Sequence, residues 1–117
     1  RLQTHRALNG ADMGINIQKN GGTAEFAVSG EMNIYNALDL KAALLKTIDE
    51  AEAVDLDLSG VSEFDSAGLQ LLLLARKECV RGGKRLRLTA KSAPVESVTG
   101  LFNLGEHFES ERPEEAL

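Results

Sequence analysis

The sequence predicts a single α/β domain, on three observations. Segments with apolar residues at every second position alternate with segments whose apolar residues recur every three or four, the order of a sheet wound with helices. Short breaks of Gly, Asn, Ser and Pro separate them. The 117 residues are enough to bury one core without disulfides or metal.

Residues 14–18 (GINIQ) and 23–29 (TAEFAVS) each alternate, and Asn20-Gly21-Gly22 between them predicts a hairpin. Residues 34–50 place Ala37, Leu40, Leu44 and Ile48 on one stripe, widened by Leu38 and Leu45, which predicts an amphipathic helix. Residues 53–58 (AVDLDL) read as a strand with Val54, Leu56 and Leu58 on one face. A second helix runs from the stretch DSAG to about residue 81. Its apolar positions Leu69, Leu72, Leu73, Cys79 and Val80 recur at helical spacing, and Leu71 and Leu74 broaden the stripe.

Gly82 or Gly83 supplies the left-handed stop for that helix. Residues 84–89 (KRLRLT) follow as a strand with Leu86 and Leu88 inward. Ser92-Ala93-Pro94 starts a helix in which Val95, Val98 and Phe102 form a stripe, Ser92 being able to cap and proline being tolerated in the first turn. A brief strand at 107–109 and a last helix from PEEAL complete the expected count of four to five strands and about four helices. The domain is expected over 13–117, with Met13 as a natural start. Residues 1–12 (RLQTHRALNGAD) are expected to be a flexible extension or an engineered remnant.

Thirteen basic residues against 18 acidic ones give a net charge of −5, which disfavours a nucleic-acid backbone or an anionic membrane as partner. No apolar run approaches the ~18 residues of a membrane span. The N-terminal residues lack a signal-peptide pattern. Aromatic residues make up 4% with no Trp, so base-stacking platforms are not indicated. The lone Cys79 suits a reducing compartment, and the expected location is the cytoplasm. Protein partners are the best fit.

Enzyme constellations are mostly absent. His5 and His107 have no Cys or carboxylate at metal-ligand spacing, so neither a metal nor a cofactor is expected. Gly82-Gly83-Lys84 follows a helix and precedes a strand, the reverse of the order of a phosphate loop. Asp55 and Asp57 share the solvated side of a strand. The basic residues Arg76, Lys77, Arg81, Lys84, Arg85 and Arg87 read as solvated faces and compensation of helix C-terminal charge.

The chemistry concentrates at Asp65-Ser66-Ala67-Gly68, where the chain enters the leucine-rich helix. Two readings stand side by side. An Asp or Ser here caps the helix by satisfying a free amide of the first turn. Alternatively, Asp65 caps by itself and the Ser66 hydroxyl is free for modification, with Ala67 and Gly68 admitting another protein close to the backbone. A phosphate on Ser66 would add roughly −1.5 to −2 charges at a helix end that tolerates anions.

DLSGVSEFDSAGLQLLLLA resembles the signature of the STAS domain, the family of bacterial anti-sigma factor antagonists. SGEMNIYNA resembles the family's Gly-Glu-Leu-Asp turn before its first helix, and FNLGEHFESERPEEAL its C-terminal end, so the likeness spans residues 14–117. The resemblance implies a mixed sheet with an antiparallel first strand, and no catalytic activity. It implies phosphorylation of Ser66 by an ATP-dependent anti-sigma factor serine kinase and removal of the phosphate by a metal-dependent serine phosphatase. The unphosphorylated form would bind the anti-sigma factor and release the sigma factor. The partner-binding residues it implies are Ser29, Gly30, Glu31, Met32 and Asn33 in the turn, with Asp65, Ser66, Ala67, Gly68 and Leu69.

Asn33 stands where the family commonly has Asp, which removes a charge while keeping a side chain able to cap the helix at 34–50. Two other roles stay open. One is a non-phosphorylated STAS subunit of a lipid-transport ABC system; the other is a STAS regulator in a chemotaxis or second-messenger pathway. An enzyme using Ser66 as nucleophile lacks a base in the motif.

Overall fold

A computed structural model of the chain describes residues 2–6 and 13–101. The strands are β1 (Leu2–Arg6), β2 (Met13–Asn20), β3 (Thr23–Met32), β4 (Ala53–Phe64) and β5 (Arg85–Lys91). The helices are α1 (Ala37–Glu50), α2 (Ser66–Arg81) and α3 (Ala93–Leu101). The strands form one sheet in the order β1-β2-β3-β4-β5. The first two pairings are antiparallel and the last two parallel.

The hairpin forms as its pattern predicts. Ile15 opposes Val28 and Ile17 opposes Phe26, so both strands send their apolar residues to the same face. The chain reverses through Gly21-Gly22, and Gly21 takes φ +66°, which a side chain would resist. From β3 onward the strands run parallel, a geometry that requires a crossover between each pair. Helices α1 and α2 provide those crossovers and pack against each other. Leu40, Leu44 and Ile48 of α1 and Leu71, Leu72, Ala75 and Cys79 of α2 join Phe26, Val54, Leu56 and Leu58 in one buried cluster. Each of the Leu, Ile, Val and Phe side chains among these, fully buried, is worth roughly 1.5–3 kcal/mol.

Residues 2–6, expected within a flexible extension, instead form the edge strand β1, running from Leu2 opposite Gln18 to Arg6 opposite Gly14. LQTHR has no apolar alternation to announce it; main-chain hydrogen bonds to the free edge of β2 suffice. Strand β4 continues six residues past the predicted end at 58, to Phe64. Helix α1 starts at Ala37 rather than 34, because residues 33–36 form a bend and turn. Leu38, Leu73 and Val80, counted in apolar stripes, are exposed. The strand expected at 107–109, the final helix and Phe102 lie outside the described residues, among which there are three helices.

The ends of α1 and α2 are tied by one lysine. Helix α1 carries no basic residue in its last turn. Lys84, which precedes β5, donates from Nζ to the carbonyls of Ile48 (2.5 Å) and Asp49 (3.0 Å), while its backbone N–H reaches Cys79 O at 2.7 Å. The cation therefore compensates the C-terminus of α1 rather than that of its own neighbour. Helix α2 ends at Arg81 with Gly82 as its C-cap, and the left-handed residue is Gly83, at φ +69°. Asp55 is engaged structurally, accepting from Arg87 at 3.1 Å across the β4–β5 pair. Asp57 accepts from the backbone N–H and the hydroxyl of Ser59. Among the described residues no helix is long and apolar enough to cross a membrane.

Candidate functional site

Parallel pairing of β3 and β4 brings the two predicted segments together. Met32 lies opposite Phe64 at the ends of the strands, and Asp65 N–H donates to Met32 O at 3.5 Å. The turn after β3 and the first turn of α2 therefore share the carboxyl edge of the parallel sheet, where α/β folds present their sites. Gly30, at φ +89°, sits beside a register shift that carries β3 into the turn.

The start of α2 shows which of Asp65 and Ser66 caps the helix. Asp65 is the N-cap, its Oδ1 accepting from Ala67 N–H (2.9 Å) and Gly68 N–H (3.3 Å). Leu69 N–H begins the helical ladder on Asp65 O. Ser66 is thereby relieved of capping; it is exposed, and among the described residues none is hydrogen-bonded to its hydroxyl. Leu71 and Leu72, buried under the same helix, fix its position.

Gly68 has a different reason from the one its sequence suggests. It is buried, and a Cβ there would come within 2.8 Å of the Phe64 ring and 2.9 Å of Met32 O. Its small size lets the helix approach its own strands rather than a foreign backbone. Met32 is likewise in the core. These two residues, expected to face a partner, are placed inside because they support the edge on which the others stand.

Asn33 is also buried, at 5% exposure. Its Nδ2 donates to Glu63 Oε1 at 2.5 Å and to Glu31 Oε1 at 3.3 Å, and its Oδ1 accepts from Tyr35 N–H at 3.0 Å. It does not cap α1, whose N-cap is Asn36 without a side-chain capping bond. Asn36 instead donates from Nδ2 to Glu31 O at 2.6 Å, and from its backbone N–H to Asn33 O at 3.1 Å. Asn33 thus organises the turn from beneath and offers a partner almost no surface.

Ser29 is exposed, between Gly14 on β2 and Gly60 on β4 in one cross-strand row. Gly30, Glu31, Asp65, Ala67 and Leu69 are partly exposed. Sequence reasoning missed Glu63 and Asn36, and it missed the exposed group Ile34, Tyr35 and Leu38 beside the turn. Leu38 carried a usable signal, since a helix stripe already filled by Leu40, Leu44 and Ile48 leaves it on another face.

Elsewhere, a cleft of about 510 Å³ opens between the C-terminal ends of α1 and α2. Two of the three cations that line it are engaged within the fold, Lys84 on the α1 carbonyls and Arg81 on Glu78, and Lys46 is the third. Cys79 is fully buried, and burial pushes its thiol from the ordinary 9.0 up to about 11. Among the described residues no group of three or more His, Cys, Asp or Glu is gathered as a metal site would require.

Comparison with known proteins adds three findings. A family model described as "Mlab, STAS domain" matches residues 15–109. Osmosensory protein A of Mycobacterium tuberculosis is 30% identical over 80 residues, 68% of this chain and 51% of that protein, so the chain matches about half of its relative's length. Among solved structures, the anti-sigma factor antagonist SpoIIAA in its unphosphorylated form superposes with a TM-score of 0.68 at 20% identity, over 78% of this chain and 82% of that one. Its phosphorylated form, from Bacillus, gives 0.66 at 19%, over 78% and 85%. An anti-sigma factor antagonist from Mycobacterium paratuberculosis gives 0.68 at 21% identity, over 89% and 87%.

Proposed function

The chain belongs to the STAS family, and from that premise we propose that it is an anti-sigma factor antagonist switched by phosphorylation of Ser66. Its unphosphorylated form binds an anti-sigma factor that is also a serine kinase, which frees the sigma factor. In the switching step, the γ-phosphoryl group of ATP passes to Ser66 Oγ, the hydroxyl proton leaves to a base on the kinase, and ADP departs. A metal-dependent phosphatase hydrolyses the phosphate and restores binding. The chain supplies the acceptor hydroxyl and the docking face and has no catalytic role of its own; it acts in the cytoplasm.

The observation that carries this reading is the division of labour between Asp65 and Ser66. Asp65 occupies the Ala67 and Gly68 amides. A phosphate on Ser66 is therefore not drawn onto the helix end, and it projects outward next to the Asp65 carboxylate. The fold has no reason to change, whereas the face acquires a solvated dianion that must be desolvated before a partner can close over it.

The test is reconstitution with the purified anti-sigma factor kinases of the native host and ATP, one at a time. One phosphate on Ser66 by mass spectrometry is expected, together with binding by Ser66→Ala, loss of binding by Ser66→Asp, and equal melting temperatures. Phosphate elsewhere, or none, rejects the switch.

The family model's description as Mlab favours one second reading. There the same face is a permanent docking surface in a lipid-transport ABC system and Ser66 stays unmodified. Ser66→Ala and Ser66→Asp would then bind the partner ATPase equally.

A further inference from the structure

We propose that Ile34, Tyr35 and Leu38 are the apolar anchors of the docking face, and that they seat in an apolar groove with a cationic rim on the partner kinase. This deepens the switch reading and rests on it. The three side chains are 69%, 75% and 80% exposed. The core does not claim Ile34 or Leu38, because α1 buries a separate stripe through Leu40, Leu44 and Ile48. Yet the segment that presents them is built with care. The Asn33 side chain donates two hydrogen bonds and accepts a third, the Asn36 side chain donates one, and one joins their backbones, and together they hold residues 33–36. Buried polar groups are here spent on keeping apolar ones in solvent, the arrangement expected of a binding anchor.

Continuity and charge identify the occupant. Met32, whose carbonyl accepts from Asp65 N–H, immediately precedes Asn33, so anchors and Ser66 lie along one edge. Glu31, Glu63 and Asp65 line that edge, and Asp39 lies in the first turn of α1. These acids match a cationic rim, repel an anionic bilayer, and would be set against themselves by a second copy of this chain. Three side chains are too few for a stable interface of about 1,200 Å² or more, so the contact must extend over Leu69 and Ser66. The carboxylates already engage the partner's cations, and a Ser66 phosphate arrives without a counter-charge inside the contact.

The test uses the native host's purified anti-sigma factor kinases with Tyr35→Ser and the double variant Ile34→Ser/Leu38→Ser. Each variant is expected to raise Kd, and KM for Ser66 phosphorylation, by about tenfold or more, with kcat and melting temperature unchanged. Unchanged Kd in both variants, while wild type binds and Ser66→Asp does not, overturns the anchors and leaves the switch standing. If no kinase binds or modifies the wild type, the switch reading fails and the anchors fall with it. A wild-type dimer made monomeric by these substitutions in sedimentation would make the occupant a second copy. Loss of binding to phosphatidylglycerol vesicles in the variants would make it a membrane. Either result rejects the kinase groove.

Discussion

The side-chain amide of Asn33 donates to the carboxylate of Glu63 at 2.5 Å, joining two residues 30 positions apart in sequence. The same nitrogen reaches Glu31 at 3.3 Å. One neutral donor thus stands between two acids at the edge of the sheet. The turn depends on that neutrality.

Replacing Asn33 with Asp therefore reverses the local electrostatics. Asn33→Asp removes the donor and places a third carboxylate, nearly buried, beside the other two. A loss of about 2 kcal/mol at neutral pH is expected in urea denaturation. The carboxyl of Asp at 33 would have its pKa raised in the folded state, so the penalty is full above that raised value. It disappears below the unfolded value of about 4. Asn33→Asp as stable as wild type at pH 7 would show that the two glutamates do not depend on the amide.

The Asp65 cap gives a second prediction. Asp65→Ala leaves the Ala67 and Gly68 amides without their acceptor and is expected to cost about 1 kcal/mol, whereas Asp65→Asn keeps most of the cap. Thermal melts of the two variants check it, equal melting temperatures being the adverse outcome.

Gly68→Ala has an expected sign opposite to helix propensity. In an open helix the change would stabilise by roughly 1 kcal/mol. Here the added methyl meets the Phe64 ring at 2.8 Å and the Met32 carbonyl at 2.9 Å, and the carbonyl belongs to a paired strand that cannot step aside. Net destabilisation of about 1–3 kcal/mol is expected, partly relieved by Phe64→Leu. A more stable Gly68→Ala would mean that the helix shifts freely.

Cys79 supplies a prediction in pH. Its thiol is raised to about 11 by burial, against an ordinary 9.0. The folded state therefore holds the proton longer than the unfolded chain. Below pH 9 the two states bind it equally; between pH 9 and 11 the unfolded chain loses it first, and stability falls by on the order of 2 kcal/mol. Denaturant midpoints of wild type and Cys79→Ala across that range measure the difference, after allowance for the cavity left by the sulfur. A thiol reagent at pH 8 should label the native protein only at the rate of unfolding.

Much of the fold was legible because it is written in local periods. Alternation around Asn20-Gly21-Gly22 specifies the hairpin, and the 3.6-residue stripes specify two helices. Asp65 is recognisable as a cap from its place before the leucines. Less legible were features that use no periodicity. Strand β1 is held by its main chain, and β4 outruns its alternation because β3 pairs with it as far as Phe64.

The amino-acid sequence by itself determined the α/β class, the order of the main elements, the capped entry into α2 and the choice of Ser66 as the residue to watch. Tertiary structure alone decided which neighbours of Ser66 face outward. Gly68, Met32 and Asn33 turned inward, and Ile34, Tyr35 and Leu38 outward, because the parallel register of β3 on β4 sets Met32 opposite Phe64 and Glu31 opposite Glu63. A local pattern specifies the face of its own helix or strand. Which side chains meet across 30 residues depends on how two strands align, and no single segment encodes that alignment.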